Sequence, residues 1–99
     1  MKRARVANSS RWSVTIQMPA EVEAEGLSVV GDFNEWNPAK DPMKRRKDGT
    51  WARTLRLGPG TYRYRCVSDR GAWFNDATAD GYEPSGLGQD NCLMILEAA

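Results

Sequence analysis

Apolar and polar side chains alternate one by one along most of this chain, and no window holds a sustained helical repeat. A period of two sends successive side chains to opposite faces of a pleated strand, so the pattern predicts β-structure throughout. From Arg11 to Met18 the alternation is clean: Trp12, Val14, Ile16 and Met18 share one face, while Arg11, Ser13, Thr15 and Gln17 share the other. Pro19 ends this strand, because proline cannot donate to the ladder. Leu27 to Asp32 reads as a second strand, with Leu27, Val29 and Phe33 of one parity. Lys47-Asp48-Gly49-Thr50 reads as a hairpin, since Asp-Gly tolerates the positive φ of a tight turn. The return strand, Thr50 to Leu57, puts Trp51, Leu55 and Leu57 on one face, with Arg53 as a charged member of the same set. Gly58-Pro59-Gly60 is another turn. Thr61 to Val67 then sends Tyr62, Tyr64 and Cys66 one way and Arg63 and Arg65 the other. After an irregular stretch rich in Gly, Asp and Pro, Asn91 to Glu97 forms a last apolar strand. Short strands at near-regular spacing, parted by turn residues, predict an antiparallel β-sandwich.

Composition narrows what such a sandwich does. The chain has 99 residues, enough for one domain with a modest core. Residues 1–10, with Lys2, Arg3 and Arg5, read as a flexible basic arm, and residues 11–99 as the single β-sandwich domain. A formal net charge of +1 gives no global field for collecting nucleic acid or holding a membrane surface. No apolar run is long enough to span a bilayer, and the first residues contain no signal-peptide core. Two cysteines, Cys66 and Cys92, are too few for a disulfide framework or a zinc site. Buried thiols in a cytoplasmic monomer are the expectation. Histidine is absent, which removes the commonest general base, the commonest metal ligand and every Ser-His or Cys-His nucleophile pair.

Trp36 and Trp73 stand apart from the alternating runs. Trp36 closes Val29-Val30-Gly31-Asp32-Phe33-Asn34-Glu35-Trp36, and Trp73 sits in Gly71-Ala72-Trp73-Phe74-Asn75-Asp76. Both lie among turn residues, where an indole offers a flat apolar platform with a polar edge. Trp12 and Trp51 fit the core by parity. Five pieces then occur in order: Gly31-Asp32-Phe33-Asn34-x-Trp36 followed by Met43; Asp48-Gly49-Thr50-Trp51; Leu55-x-Leu57-x-Pro59-Gly60-x-Tyr62-x-Tyr64; Trp73-x-x-Asp76; and Leu87-Gly88-x-x-Asn91. Together they resemble the family 48 carbohydrate-binding modules. That family includes the glycogen-binding domain of the AMP-activated protein kinase β subunit and the early-set N-terminal domains of isoamylases and branching enzymes.

The resemblance covers about residues 12 to 97 and implies an all-β, immunoglobulin-like early-set fold that binds α-1,4-glucan without catalysis and without a cofactor. It implies that Trp36 and Trp73 stack on glucose rings. Arg65 stands where the kinase-type modules carry a lysine on sugar hydroxyls, and Asn91 matches an asparagine of the same role. Leu87 matches a leucine that enters the bend of the glucan helix, and Gln89 replaces a frequent threonine. Such a module targets a partner to glycogen, starch or maltodextrin: an amylolytic or glycogen-metabolising enzyme, or a kinase. The alternative is a protein–protein scaffold of the same fold with little sugar affinity.

Two other patterns point elsewhere. Asp76-x-Thr78-x-Asp80-Gly81 begins like an EF-hand loop, but position twelve is Leu87 rather than a bidentate glutamate. A glycosidase needs two carboxylates across a cleft, whereas Asp69, Asp76 and Asp80 lie on turns. The run Lys44-Arg45-Arg46-Lys47 reads as an exposed hairpin arm.

Overall fold

A computed structural model describes residues 1–86 and 88–98. The described residues form nine strands and no helix: β1 (Lys2–Arg5), β2 (Trp12–Met18), β3 (Leu27–Gly31), β4 (Lys44–Arg45), β5 (Trp51–Leu57), β6 (Gly60–Ser68), β7 (Trp73–Phe74), β8 (Gly81–Pro84) and β9 (Asp90–Leu96). They build two antiparallel sheets packed face to face, an all-β sandwich of the immunoglobulin-like early-set kind. One sheet runs β1-β2-β5-β4; the other runs β3-β6-β9-β8, with β7 added against β6. Each of the five strands expected from alternation is present, its ends within one residue of the expectation.

Parity sets the core. Val14, Ile16 and Met18 of β2 meet Trp51 and Leu55 of β5, and across the gap lie Leu27, Val29, Tyr64, Cys66, Cys92, Met94 and Leu96. Trp12 is half-buried against this cluster and its indole N–H donates to the Glu97 carbonyl at 2.9 Å. Both thiols are free and fully buried. Burial pushes Cys66 up to about 12 and raises Cys92 as well, which leaves both as unreactive apolar filler.

The hairpin at 46–50 closes as its sequence requires. Gly49 takes φ 89°, and the Asp48 carboxylate accepts from the Thr50 N–H at 3.0 Å and its hydroxyl at 2.6 Å. Gly58-Pro59 is different: it carries the chain from β5 in one sheet to β6 in the other, and the Tyr62 hydroxyl secures the crossing by donating to the Gly58 carbonyl at 2.8 Å.

Two features depart from the sequence expectation. The irregular stretch after Val67 contains β7 and β8, which are too short and too rich in Gly and Pro to show a period; Pro84 is tolerated because β8 is an edge strand. The stretch read as a flexible arm contains β1, paired with β2 from Lys2 opposite Thr15 to Arg5 opposite Trp12. Its cations explain the docking. Arg3 donates to the Ile95 carbonyl at 2.8 Å and pairs with Asp80, while the Arg5 guanidinium lies 4.4 Å from the Trp12 ring centroid.

Asp80 therefore makes β1 sensitive to acid. Burial pulls its carboxyl upward, but the Arg3 bond, the Ile95 N–H at 2.8 Å and the charges of Arg3 and the amino terminus hold it below its ordinary value. A depressed carboxylate stabilises the fold above its ordinary range and loses that contribution as pH falls from that range through its lower folded value. Amide protection across residues 2–5 should drop over that interval. Asp80→Asn should show low protection at neutral pH and no acid step. Constant protection in the unaltered chain from pH 6 to 2 would refute the role of Asp80.

Candidate functional site

The strand register places one set of side chains on the outer face of the second sheet. Residues directly opposite in an antiparallel pair share a face. Val30 faces Arg65, Ser28 faces Val67, and Val67 faces Trp73. Val30 and Val67 are buried yet stand outside the core cluster, so they form a small apolar patch on this outer side. On the same face lies a groove of about 510 Å³ lined by Trp36, Arg65, Trp73, Ser85, Gln89 and Asn91. Five of the six residues singled out from sequence thus converge; the sixth, Leu87, falls outside the described residues.

Trp73 is 45% exposed and presents its indole to the groove. A tight turn delivers it. The Ser68 N–H bonds the Ala72 carbonyl at 2.8 Å, the Ser68 hydroxyl accepts from the Ala72 N–H at 3.0 Å, and Gly71 supplies a φ of 83°. Asp76 fixes the far end of this segment. It is 1% exposed, accepts from the Tyr64 hydroxyl at 2.8 Å, and caps its own loop through the Thr78 N–H and hydroxyl at 2.8 and 2.7 Å.

Arg65 points to the outer face, as alternation places it, but its residue is only 9% exposed. Its Nε donates to the Asn75 side-chain oxygen at 2.8 Å, a terminal nitrogen donates to Gln89, and its guanidinium carbon lies 5.1 Å from the Trp73 ring centroid. The guanidinium is a strut against the indole, held in place by two amides. Five N–H donors on one plane still leave some to face the groove.

Trp36 reaches the groove from the loop after β3. Both Glu35 and Trp36 adopt left-handed backbone, φ 61° and 58°. Two consecutive non-glycine residues there cost about 1–3 kcal/mol each and persist only where neighbours over-determine them. The Trp36 N–H bonds the Gly31 carbonyl at 3.0 Å, and so does the Asn34 N–H at 3.1 Å. The Asn34 amide, 4% exposed, accepts from the Gly31 N–H at 3.0 Å and donates to the Val29 carbonyl at 2.9 Å. Gly31 is obligatory: a Cβ there would lie 2.4 Å from the Arg63 carbonyl oxygen and 2.9 Å from the Tyr64 Cβ.

Two residues escaped the sequence reading, Ser85 in the groove lining and Asn75 behind it. Asn75 shares parity with Trp73 and holds Arg65 while its own N–H₂ donates to the Asp90 carbonyl at 3.0 Å. Ser85 follows Glu83 by two positions, and the pairing of Glu83 with Asn91 puts it on the same face. The two-residue step after each neighbour was the available signal. The acidic turn residues lie elsewhere and are engaged: Asp76 with Tyr64 and Thr78, Asp80 with Arg3 and the Ile95 N–H. A larger recess of about 730 Å³ lies beside the 44–47 hairpin. Its lining is cationic, with Lys44, Arg45, Arg46, Lys47 and Arg53, and presents no aromatic platform.

The family model of carbohydrate-binding module 48 (isoamylase N-terminal domain) matches residues 7–82. A 1,4-alpha-glucan branching enzyme of Paraburkholderia xenovorans is 45% identical over 77 residues, which make up 75% of this chain and 9% of that protein. A second 1,4-alpha-glucan branching enzyme, from Xanthomonas campestris, is 40% identical over 50 residues, 48% of this chain and 7% of that protein. The chain thus spans less than a tenth of the length of the curated relatives it matches. It belongs to the carbohydrate-binding module 48 family, whose modules bind carbohydrate and are themselves non-catalytic.

Two outcomes test the groove's construction. Gly31→Ala should destabilise the domain by about 3 kcal/mol through collision with β6, at the Arg63 carbonyl and the Tyr64 Cβ. Gly58→Ala, with open space around it, should be near neutral in urea unfolding. Arg65→Ala should free the Trp73 indole, so that the emission removed by Trp73→Phe becomes more accessible to acrylamide quenching. Equal unfolding midpoints for the two glycine variants, or unchanged quenching, would contradict the geometry.

Proposed function

We propose that this module holds α-1,4-glucan chains in the groove formed by Trp36, Trp73, Arg65, Gln89 and Asn91, and so keeps a glucan-remodelling enzyme on its polysaccharide. One observation carries the reading: an exposed indole and a second indole share a single groove with neutral amides and a hydroxyl. The C–H face of a glucose ring is an apolar surface for an indole, and its rim of hydroxyls needs both donors and acceptors. Gln89 and Asn91 each carry one amide oxygen and one N–H₂, which answers that requirement without committing to a charge. Arg65 adds fixed donors beside the Trp73 ring. A groove of about 510 Å³ lies within the size range of small-ligand sites and suits a few sugar units rather than a whole macromolecule.

The names of the relatives support an enzyme partner. Both are named 1,4-alpha-glucan branching enzymes, and the matched stretch is a small part of each. A glucan-holding module beside a glucan-acting domain raises the local concentration of chain ends, an effective-concentration gain that needs no tight single-site binding. Affinity for one site is accordingly micromolar to millimolar, since each sugar hydroxyl exchanges a water bond for a protein bond with a small net gain.

Calorimetry with maltoheptaose and cellohexaose tests the proposal. Maltoheptaose should bind, and cellohexaose, a straighter ribbon, should not. Trp73→Ala and Arg65→Ala should each weaken binding by about 1–3 kcal/mol, from lost apolar contact and lost charge-assisted hydrogen bonds. The two losses should fall short of additivity by about 0.5 kcal/mol or more, because the arginine supports the indole. Stronger binding of cellohexaose would overturn the glucan assignment. An absence of all sugar binding, with assembly onto a partner enzyme lost in Trp73→Ala, would favour a scaffold instead.

A further inference from the structure

Arg53 is the charged residue that alternation left on the core-facing side of β5, between Trp51 and Leu55 and opposite Ile16, which is fully buried. A guanidinium in that place requires a partner, since burying a charge without one is costly. It leaves the core edge and donates twice to one carboxylate oxygen of Asp41, from Nε at 3.2 Å and from a terminal nitrogen at 3.0 Å. The other oxygen of Asp41 accepts from the Asn34 side-chain N–H₂ at 2.8 Å. The carboxylate is thus divided between two tasks, one oxygen for each.

Asn34 is the pivot of the loop that presents Trp36. Its N–H₂ serves Val29 and Asp41, and its oxygen serves the Gly31 N–H, so every polar group of this buried amide is engaged. The Asp41 end is itself fastened to β3. The Asp41 carbonyl accepts from the Val29 N–H at 3.0 Å, and the Met43 N–H donates to the Leu27 carbonyl at 2.7 Å. The path Arg53, Asp41, Asn34 therefore joins a strand of the first sheet to the left-handed turn at Glu35 and Trp36. Backbone in that region returns to ordinary angles once the surrounding constraints are relaxed.

We propose that Asp41 and Arg53, which do not line the groove, are positioning residues for Trp36: the Arg53–Asp41 pair aims Asn34, and Asn34 holds the strained turn in the one conformation that turns the indole to the ligand. The inference rests on the reading of Trp36 as a glucan platform. It assigns a binding role to an ion pair that would otherwise be ordinary. The side chains are 38% and 16% exposed, so the pair sits at the edge of the core rather than within it. Its effect is local, because removing Arg53 leaves Asp41 free to turn to water and Asn34 without a fixed acceptor. Trp73, held by Arg65 and the Ser68 turn, is not on this path.

The experiment uses the whole chain labelled with 5-fluorotryptophan, each resonance being assigned by its own Trp→Phe variant. In Arg53→Ala and in Asp41→Ala the Trp36 resonance should shift or broaden, while that of Trp73 stays in place. Arg53→Lys, which keeps a charge at Asp41, should restore most of the Trp36 signal. Maltoheptaose affinity should fall about fivefold in Arg53→Ala, and this loss should vanish when Trp36→Ala is already present. An unmoved Trp36 resonance, or the same fivefold loss in the Trp36→Ala background, overturns the positioning role. Should no variant or the unaltered chain bind maltoheptaose, the glucan reading fails, and the fluorine resonance of Trp36 alone still decides whether the pair positions it.

Discussion

Everything at the groove depends on the two-faced alternation of β6. Its hydrogen bonds tie it to β3 along residues 64–68, to β9 along 60–64 and to β7 at 66 and 67. With its backbone held on both sides, the strand cannot slip by one residue without exchanging its faces. Tyr64 and Cys66 enter the core; Arg65 and Val67 leave it, and Arg65 becomes the strut of the groove. One strand thus fixes the sandwich and the relative height of Arg65, Val67 and Trp73 at once. A mutation that disturbs Tyr64 or Cys66 reaches the outer face through backbone alone.

The second link between core and surface is Asp76. A carboxylate with 1% exposure is tolerable only when its oxygens are engaged, and the Tyr64 hydroxyl reaches it from the core. The Asp76 charge and burial together push the Tyr64 hydroxyl well above its ordinary range, so it remains a donor at every working pH. Its bond pins the segment that follows β7, and the Tyr82 hydroxyl adds a bond to the Asp76 carbonyl at 2.6 Å. The loop between β7 and β8 is therefore part of the core's hydrogen-bond network, although its sequence is that of a turn.

What could be read from the chain divides along physical lines. Strands with one buried face wrote their period into the sequence, and β2, β5, β6 and β9 were legible for that reason. Val29-Val30 was less so: both are fully buried because both faces of β3 are covered at that point, which erases alternation. The short β7 and β8 hold too few residues for a period. Trp36 and Trp73 were conspicuous because they broke the pattern, whereas Asn75 and Ser85 look like any turn residue until register places them. The burial of Arg65 was invisible, because Gln89 and Asn75 approach it from the loops before β9 and after β7. Arg53 was noticed as an anomaly on its strand face, and its cause lay twelve residues upstream in Asp41.

The distribution of unfavourable local choices separates the two outer faces. On the first sheet the outward residues are routine, with Thr15 and Thr54 sharing a cross-strand hydrogen bond at 2.9 Å. On the second sheet, left-handed Glu35 and Trp36, a mostly buried arginine and a half-exposed indole are gathered around one groove. Each is a choice that a sandwich built for stability alone would not require. Their value lies in preorganisation. A groove whose backbone strain and side-chain order are already established in the free protein asks little further ordering of the protein when a ligand arrives. For a ligand whose hydroxyls return little net energy, that saving is a large part of what makes binding measurable at all.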